Sequence, residues 1–190
     1  MAVMIPEYIS PDTKSSAERK IFKWFKEAPR TEDWIVLHSL GIAKHETVIE
    51  GEVDFLVLVP GKGIFAIEVK GGRVKRENGI WFFEDRYGKI HQKTRGPFEQ
   101  AKEGIHSIMD SLESKIDNSH ARVKNLFYGY GVMFPDIEYS TIGVDEAEYQ
   151  IFDCRDGEDV KRYINRLANG ARKNWESNLV ICQEAIKKEK

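Results

Sequence analysis

The chain has 190 residues, 41% of them apolar and 32% charged, and so much apolar material excludes an intrinsically disordered polymer. Lys and Arg number 29 against 31 Asp and Glu, a formal charge of -2, which excludes a globally basic nucleic-acid coat while leaving room for a local basic face. Cys154 and Cys182 have no CxxC context, which argues against a zinc knuckle or disulfide framework and for two buried thiols in a reducing compartment.

The first predicted element is a helix in SSAERKIFKWFKEA. Ile21, Phe22 and Phe25 form its apolar stripe, with Trp24 on the edge. Ser15 or Ser16 serves as its N-cap, Glu18 lies in its first turn, and Pro29 stops it. Short apolar strands follow at Trp34 to Leu40 and Val53 to Val59. Pro60-Gly61-Lys62-Gly63 then turns the chain directly into a strand from Ile64 to Val69, so the last two strands form an antiparallel hairpin. Gly71-Gly72 ends it. Further short strands are predicted at Val74 to Lys75 and Ile80 to Glu84, with turns at Asn78-Gly79 and Tyr87-Gly88. Pro97 can open a helix whose apolar period runs through Ala101, Ile105, Ile108, Met109 and Leu112. Leu126 to Phe134 reads as a strand, as does a short run near Tyr149 to Phe152. Two helices are expected after it, from about Glu158 to Leu167 and from Ala171 to Lys190. Strands alternating with helices indicate an α/β or α+β core, expected as one domain over residues 1–190: a core of about 16–153 and a helical part of about 157–190. No segment reaches the roughly 18 apolar residues of a membrane span, and Pro6 and Glu7 interrupt the start, so a cytoplasmic protein without membrane contact is expected.

Charge is unevenly divided. Lys62 to Lys102 holds ten basic residues against five acidic ones, whereas Asp136 to Asp159 holds nine acids against one Arg. The basic segment is where a phosphate backbone could be held: Arg73, Lys75 and Arg76 are the first candidates, with Lys93 and Arg95 behind them. Ordinary solvated loops are the competing reading. Gly71 and Gly72 either let backbone approach a phosphate or simply make a turn. Of Trp81, Phe82 and Phe83, alternation buries either the outer pair or the middle ring.

The chemistry sits in GEVDFLVLVPGKGIFAIEVKGG. Asp54 interrupts an apolar strand, and Glu68 and Lys70 share one face at the end of the next, with Val69 facing the other way. Folding back at Pro60 to Gly63 brings Asp54 near Glu68, gathering three charges at one end of an apolar hairpin. Two carboxylates and the Val69 backbone carbonyl are hard oxygen ligands suited to Mg²⁺ or Mn²⁺. Lys70 could orient an attacking water or offset charge on phosphorus. A structural charge network at a strand end is the competing reading. Glu52 shares the face of Asp54 by period, as an additional acid or an edge charge. No P-loop, GxSxG, HxH or HExxH pattern occurs.

These motifs resemble the nuclease-related domain family of the PD-(D/E)XK nuclease superfamily, over roughly Ser16 to Gln100 and more weakly through GYGVMFP. That family has an early-helix Glu, an Asp at an "(E/Q)(I/V)D" strand start, "IEVKGG", and a Gln at a helix start. The matching positions here are Glu18, Asp54, Glu68 with Lys70, and Gln100. The resemblance implies an α/β, restriction-endonuclease-like core with a mixed central β-sheet flanked by helices. It implies metal-dependent cleavage of nucleic acid and frequent fusion to helicase, kinase or other modules. DNA is the expected substrate, with an RNA-directed nuclease a third reading; the main alternative is a catalytically weak or inactive nuclease-like module that binds DNA or a protein partner. Nothing in the residues fixes the oligomeric state.

Overall fold

The computed structural model describes residues 1–45, 48–85, 87–115, 126–140, 143 and 146–188, with side chains described over 1–41, 52–85, 87–114, 126–140, 143 and 146–177. Its strands are β1 (Val3–Ile5), β2 (Ile35–His45), β3 (Val48–Val59), β4 (Gly63–Val69), β5 (Arg73–Glu77), β6 (Ile80–Glu84), β7 (Ile90–Lys93), β8 (Tyr128–Phe134) and β9 (Ile151–Asp153). Three helices accompany them: α1 (Ser16–Glu27), α2 (Pro97–Lys115) and α3 (Val160–Lys188).

A mixed sheet of six strands in the order β1-β2-β3-β4-β8-β9 forms the centre. The β2–β3 and β3–β4 pairs are antiparallel, and β1–β2, β4–β8 and β8–β9 are parallel. The hairpin is paired from Val59↔Gly63 to Phe55↔Ile67. Because β4 is central, both of its faces are covered, and its apolar residues form a nearly unbroken run. On one face Phe65, Ile67 and Val69 meet Ile21, Phe22 and Phe25 of α1 and Tyr163, Ile164 and Leu167 of α3. Ile64 and Ala66 face the other way, onto Ile105, Ile108 and Met109 of α2.

The remaining strands make a separate sheet, β5-β6-β7, docked beside the start of α2. Trp81 and Phe83 face inward, toward Phe98 and Tyr139, so Phe82 is the ring turned outward. Strands β1 and β7 had no clear sequence signature: β1 spans three residues, and all of β7 is exposed, without apolar alternation.

Two expectations are corrected. The predicted pair of C-terminal helices is one helix, α3, running through Gly170. At Gly170 the ring of Tyr149 lies where a Cβ would be, 2.1 Å from Cγ, so this glycine serves close approach inside the helix and is not a break. Cys154 is exposed, set in a 3₁₀ turn (Cys154–Asp156) after the short β9, where alternation no longer buries it; the side chain of Cys182 lies outside the described residues.

Part of the acidic stretch is internal wiring: Glu146 and Asp153 are buried and Asp156 is half-buried. Asp153 accepts from the Tyr139 N–H at 3.0 Å and pairs with Arg155, and Asp156 takes bonds of 2.8 Å from both terminal nitrogens of Arg166 on α3. Burial would raise both carboxyls, but these donors outweigh it and hold them below the ordinary carboxylate range. Depressed folded values mean that their stabilisation is fully present above the unfolded range and is lost as the pH falls through the folded values. Asp156→Asn is therefore expected to melt below the wild type at pH 7 and to converge with it in acid. Thermal melts over a pH series check this, and a constant gap would show that the charge is not responsible.

Candidate active site

The site is built where β3 and β4 part. Backbone pairing stops at Phe55↔Ile67, yet β4 continues on its other side, where the Lys70 N–H donates to the Met133 carbonyl at 3.0 Å. The Val69 N–H, facing the gap, finds the side chain of Asp54: Oδ2 accepts it at 2.7 Å. A carboxylate thus stands in for a ladder carbonyl. The same place breaks strict alternation in β3, since Val53 and Leu56, three apart, pack into one cluster on the α2 side. Beside it on β2, Leu37 and Leu40 do likewise, with Ser39 in the left-handed region between them (φ 53°). Asp54 is freed from the regular face pattern by that irregularity.

Glu68 follows Ile64 and Ala66 onto the α2 side and is 5% exposed. Lys70, two residues on, reaches back and ion-pairs with its Oε1. Burial raises the carboxyl of Asp54 well above its ordinary value, and the charge of Glu68 adds to it. Burial likewise raises Glu68, although Lys70 opposes the effect. For Lys70, burial works against the ammonium, but Glu68, Asp54 and Glu18 outweigh it, so its pKa rises and it stays charged.

Glu18 arrives from a different element. Ser15 caps α1, accepting the Glu18 N–H at 3.2 Å, and this first turn lies over the hairpin end. The Glu18 carboxylate acts electrostatically on Asp54, Glu68 and Lys70, and its Oε2 lies 3.3 Å from His38 Nε2. Gln100 is half-buried in the first turn of α2.

Gly71 and Gly72 are shaped by packing. A Cβ on Gly71 would fall 2.8 Å from that of Ala17 in α1. One on Gly72, with φ +75°, would lie 2.3 Å from the Glu84 carbonyl. Asp136 fastens this turn, accepting the Gly72 N–H at 2.9 Å and pairing with Lys20 of α1. An open cleft of about 470 Å³ adjoins it, lined by Lys14, Ser16, Gly72, Arg73, Asp85 and Asp136 among others.

The basic candidates divide sharply. Arg73 and Lys75 are exposed, pairing with Glu84 at 3.6 Å and with Glu77 at 3.0 Å, and Lys75 lies over the Phe82 ring. Lys93 is exposed on β7, and Arg95, paired with Glu103, is near enough to Glu68 for its charge to act there. Arg76 is different: it donates to the fully buried Glu146 at 2.7 Å and covers Trp81. Its place is interior. Glu52 is exposed on β3.

His38, Asp136 and Glu146 had no sequence signal as parts of this arrangement. A lone His on a strand and acids in a surface-like run declare themselves only through partners far along the chain.

A mixed sheet with Asp54 in the split between two strands, and Glu-x-Lys on the second, defines a restriction-endonuclease-like core of the PD-(D/E)XK class. Within that class the chain belongs to the nuclease-related domain family, whose profile matches residues 13–134. Comparison with curated proteins and with solved structures gave no match. Among the described residues, no helix is long and apolar enough to cross a membrane.

Proposed function

We propose that the chain is a divalent-metal-dependent deoxyribonuclease that hydrolyses phosphodiester bonds at the Asp54–Glu68–Lys70 cluster. The observation that carries the reading is an excess of negative charge inside a built site: Glu18, Asp54 and Glu68 converge on a single lysine. Asp54 and Glu68, pushed upward by burial and by neighbouring negative charge, make the environment a cation relieves. The donor set fits Mg²⁺ or Mn²⁺: two carboxylates and the Val69 carbonyl are hard oxygens. No group of three acidic, His or Cys side chains with ligating geometry occurs among the described residues. Water and a phosphate oxygen of the substrate would therefore complete the sphere. Such an ion polarises the phosphodiester and lowers the pKa of a bound water.

The chain's own residues supply the rest. Lys70, charged and tied to Glu68, offsets negative charge developing on the phosphoryl oxygens and orients the attacking water. It cannot serve as a neutral base while its carboxylate neighbours hold its proton. Gln100 at the start of α2 faces the same centre in this reading and steadies a water or phosphate oxygen. Arg73, Lys75, Lys93 and Arg95 hold the phosphate backbone, with Gly71-Gly72 bringing main chain close to it. Arg76 is left out, being committed to Glu146.

The test is cleavage of labelled single-stranded and duplex DNA, with RNA in parallel, in Mn²⁺, Mg²⁺ or EDTA. Metal-dependent products are expected. Lys70→Ala should retain most Mn²⁺ affinity and lose about a hundredfold in turnover, the scale for removing one preorganised charge from such a site. Salt-sensitive DNA binding without products would instead favour a binding module, or an enzyme awaiting a helicase or other partner.

A further inference from the structure

His38 on β2 has an imidazole only 2% exposed. Phe22 of α1 meets the ring edge-on with centroids 5.5 Å apart, and Phe55 of β3 lies at 4.7 Å. Two elements therefore fix its plane. Nε2 points at Glu18 Oε2, 3.3 Å away, with Ser39 Oγ at 3.4 Å. An ionised carboxylate only accepts hydrogen bonds, so the hydrogen of this contact sits on Nε2.

Glu18 needs such a restraint. It lies in the first turn of α1, with its side chain 19% exposed. Freezing a glutamate side chain costs rotamer entropy. Asp54 and Glu68 repel it as well, favouring rotamers that swing it into water. Lys70 attracts it but is already ion-paired with Glu68. We propose that His38 is a positioning residue whose Nε2–H holds the Glu18 carboxylate beside the Asp54–Glu68–Lys70 cluster. What Glu18 is held for rests on the nuclease reading; the restraint itself does not.

The test pairs two readouts on the intact chain. In the metal-free protein, the Nε2–H resonance of His38, followed by long-range proton–nitrogen NMR, is expected to move in Glu18→Gln and to stay in place in Lys75→Gln. In single-turnover cleavage, His38→Leu should lose about 10–100-fold, the usual scale for removing an outer-shell partner of a catalytic group. Glu18→Gln should lose at least as much, and the double variant no more than Glu18→Gln alone, because His38 acts only through that carboxylate and has no charged group left to hold once it is gone. His38→Gln, which places an amide donor near the position of Nε2, should recover most of the rate.

An unmoved His38 resonance, losses that multiply in the double variant, or a His38→Gln no better than His38→Leu would each overturn the assignment. If the wild type cleaves nothing, the nuclease reading fails and the NMR result decides the His38 contact alone.

Discussion

Asp54→Asn is expected to melt above the wild type at neutral pH while losing about a thousandfold or more in cleavage, the several kcal/mol that a metal ligand's loss removes from the transition state. The amide oxygen of Asn can still accept the Val69 N–H, so the bond that closes the β3–β4 split survives. What disappears is a buried negative charge raised by desolvation and by Glu68. An acid with a raised folded pKa destabilises the native state as the pH climbs through the ordinary carboxylate range, and the penalty is complete above the folded value. The gain in melting temperature is thus largest at neutral pH and fades in acid, where Asp54 is protonated in both states. Adding Mn²⁺ should reverse the order, because a ligand that binds only the native wild type raises its melting temperature.

Differential scanning calorimetry over a pH series, with and without Mn²⁺, beside the cleavage assay, checks all four statements. If Asp54→Asn melts lower at pH 7 without metal, the carboxylate is a structural partner of Lys70. The charge-network reading then replaces the catalytic one.

Arg76→Ala is expected to destabilise the fold by about 3–5 kcal/mol, the penalty for leaving a buried charge uncompensated. Glu146, whose side chain is fully buried, also accepts from the Tyr139 hydroxyl and the Gly143 N–H at 3.0 Å. Those neutral donors remain in the variant, but the guanidinium that pairs with the carboxylate at 2.7 Å is gone. Urea denaturation reads the loss directly. Glu146→Gln in the same background should recover part of it, since the uncompensated charge is then removed. Loss of DNA binding in an Arg73, Lys75 and Arg76 triple variant would confuse phosphate contact with unfolding. Arg73→Gln with Lys75→Gln is the informative pair: weaker binding with a shallower salt dependence is expected, at unchanged melting temperature.

The two substitutions separate what was visible locally from what was not. Asp54, Glu68 and Lys70 could be read together because a Pro-Gly turn sets the hairpin register, and register carries residues 54 and 68 to the same end. Period-two alternation likewise put Glu68 and Lys70 on one face, where they form their ion pair. It failed at Asp54 itself. The side chain occupies the gap between strands, a position that exists only because β4 stays paired with β8 while parting from β3. Arg76 looked like a phosphate contact because it sits in a basic run, and the acid that claims it is 70 residues away. Cys154 and the continuous α3 were misjudged for a related reason: one depends on where β9 ends, the other on a Tyr149 ring that makes a helical glycine useful.

By itself the sequence determined the local elements: the capped α1, the hairpin, the amphipathic α2, and the clustering of an acid pair with a lysine at one hairpin end. These follow from interactions within a few residues or across one tight turn, where periodicity and turn chemistry leave few alternatives. Only the tertiary structure decided the strand order, the docking of α1's first turn over the hairpin end, the His38 contact to Glu18, and which basic side chains stay in solvent. Each of those pairs groups from elements far apart in the chain. Nothing in a local pattern records which buried charge will meet which, because burial itself, with the desolvation it imposes, is a property of the packed whole.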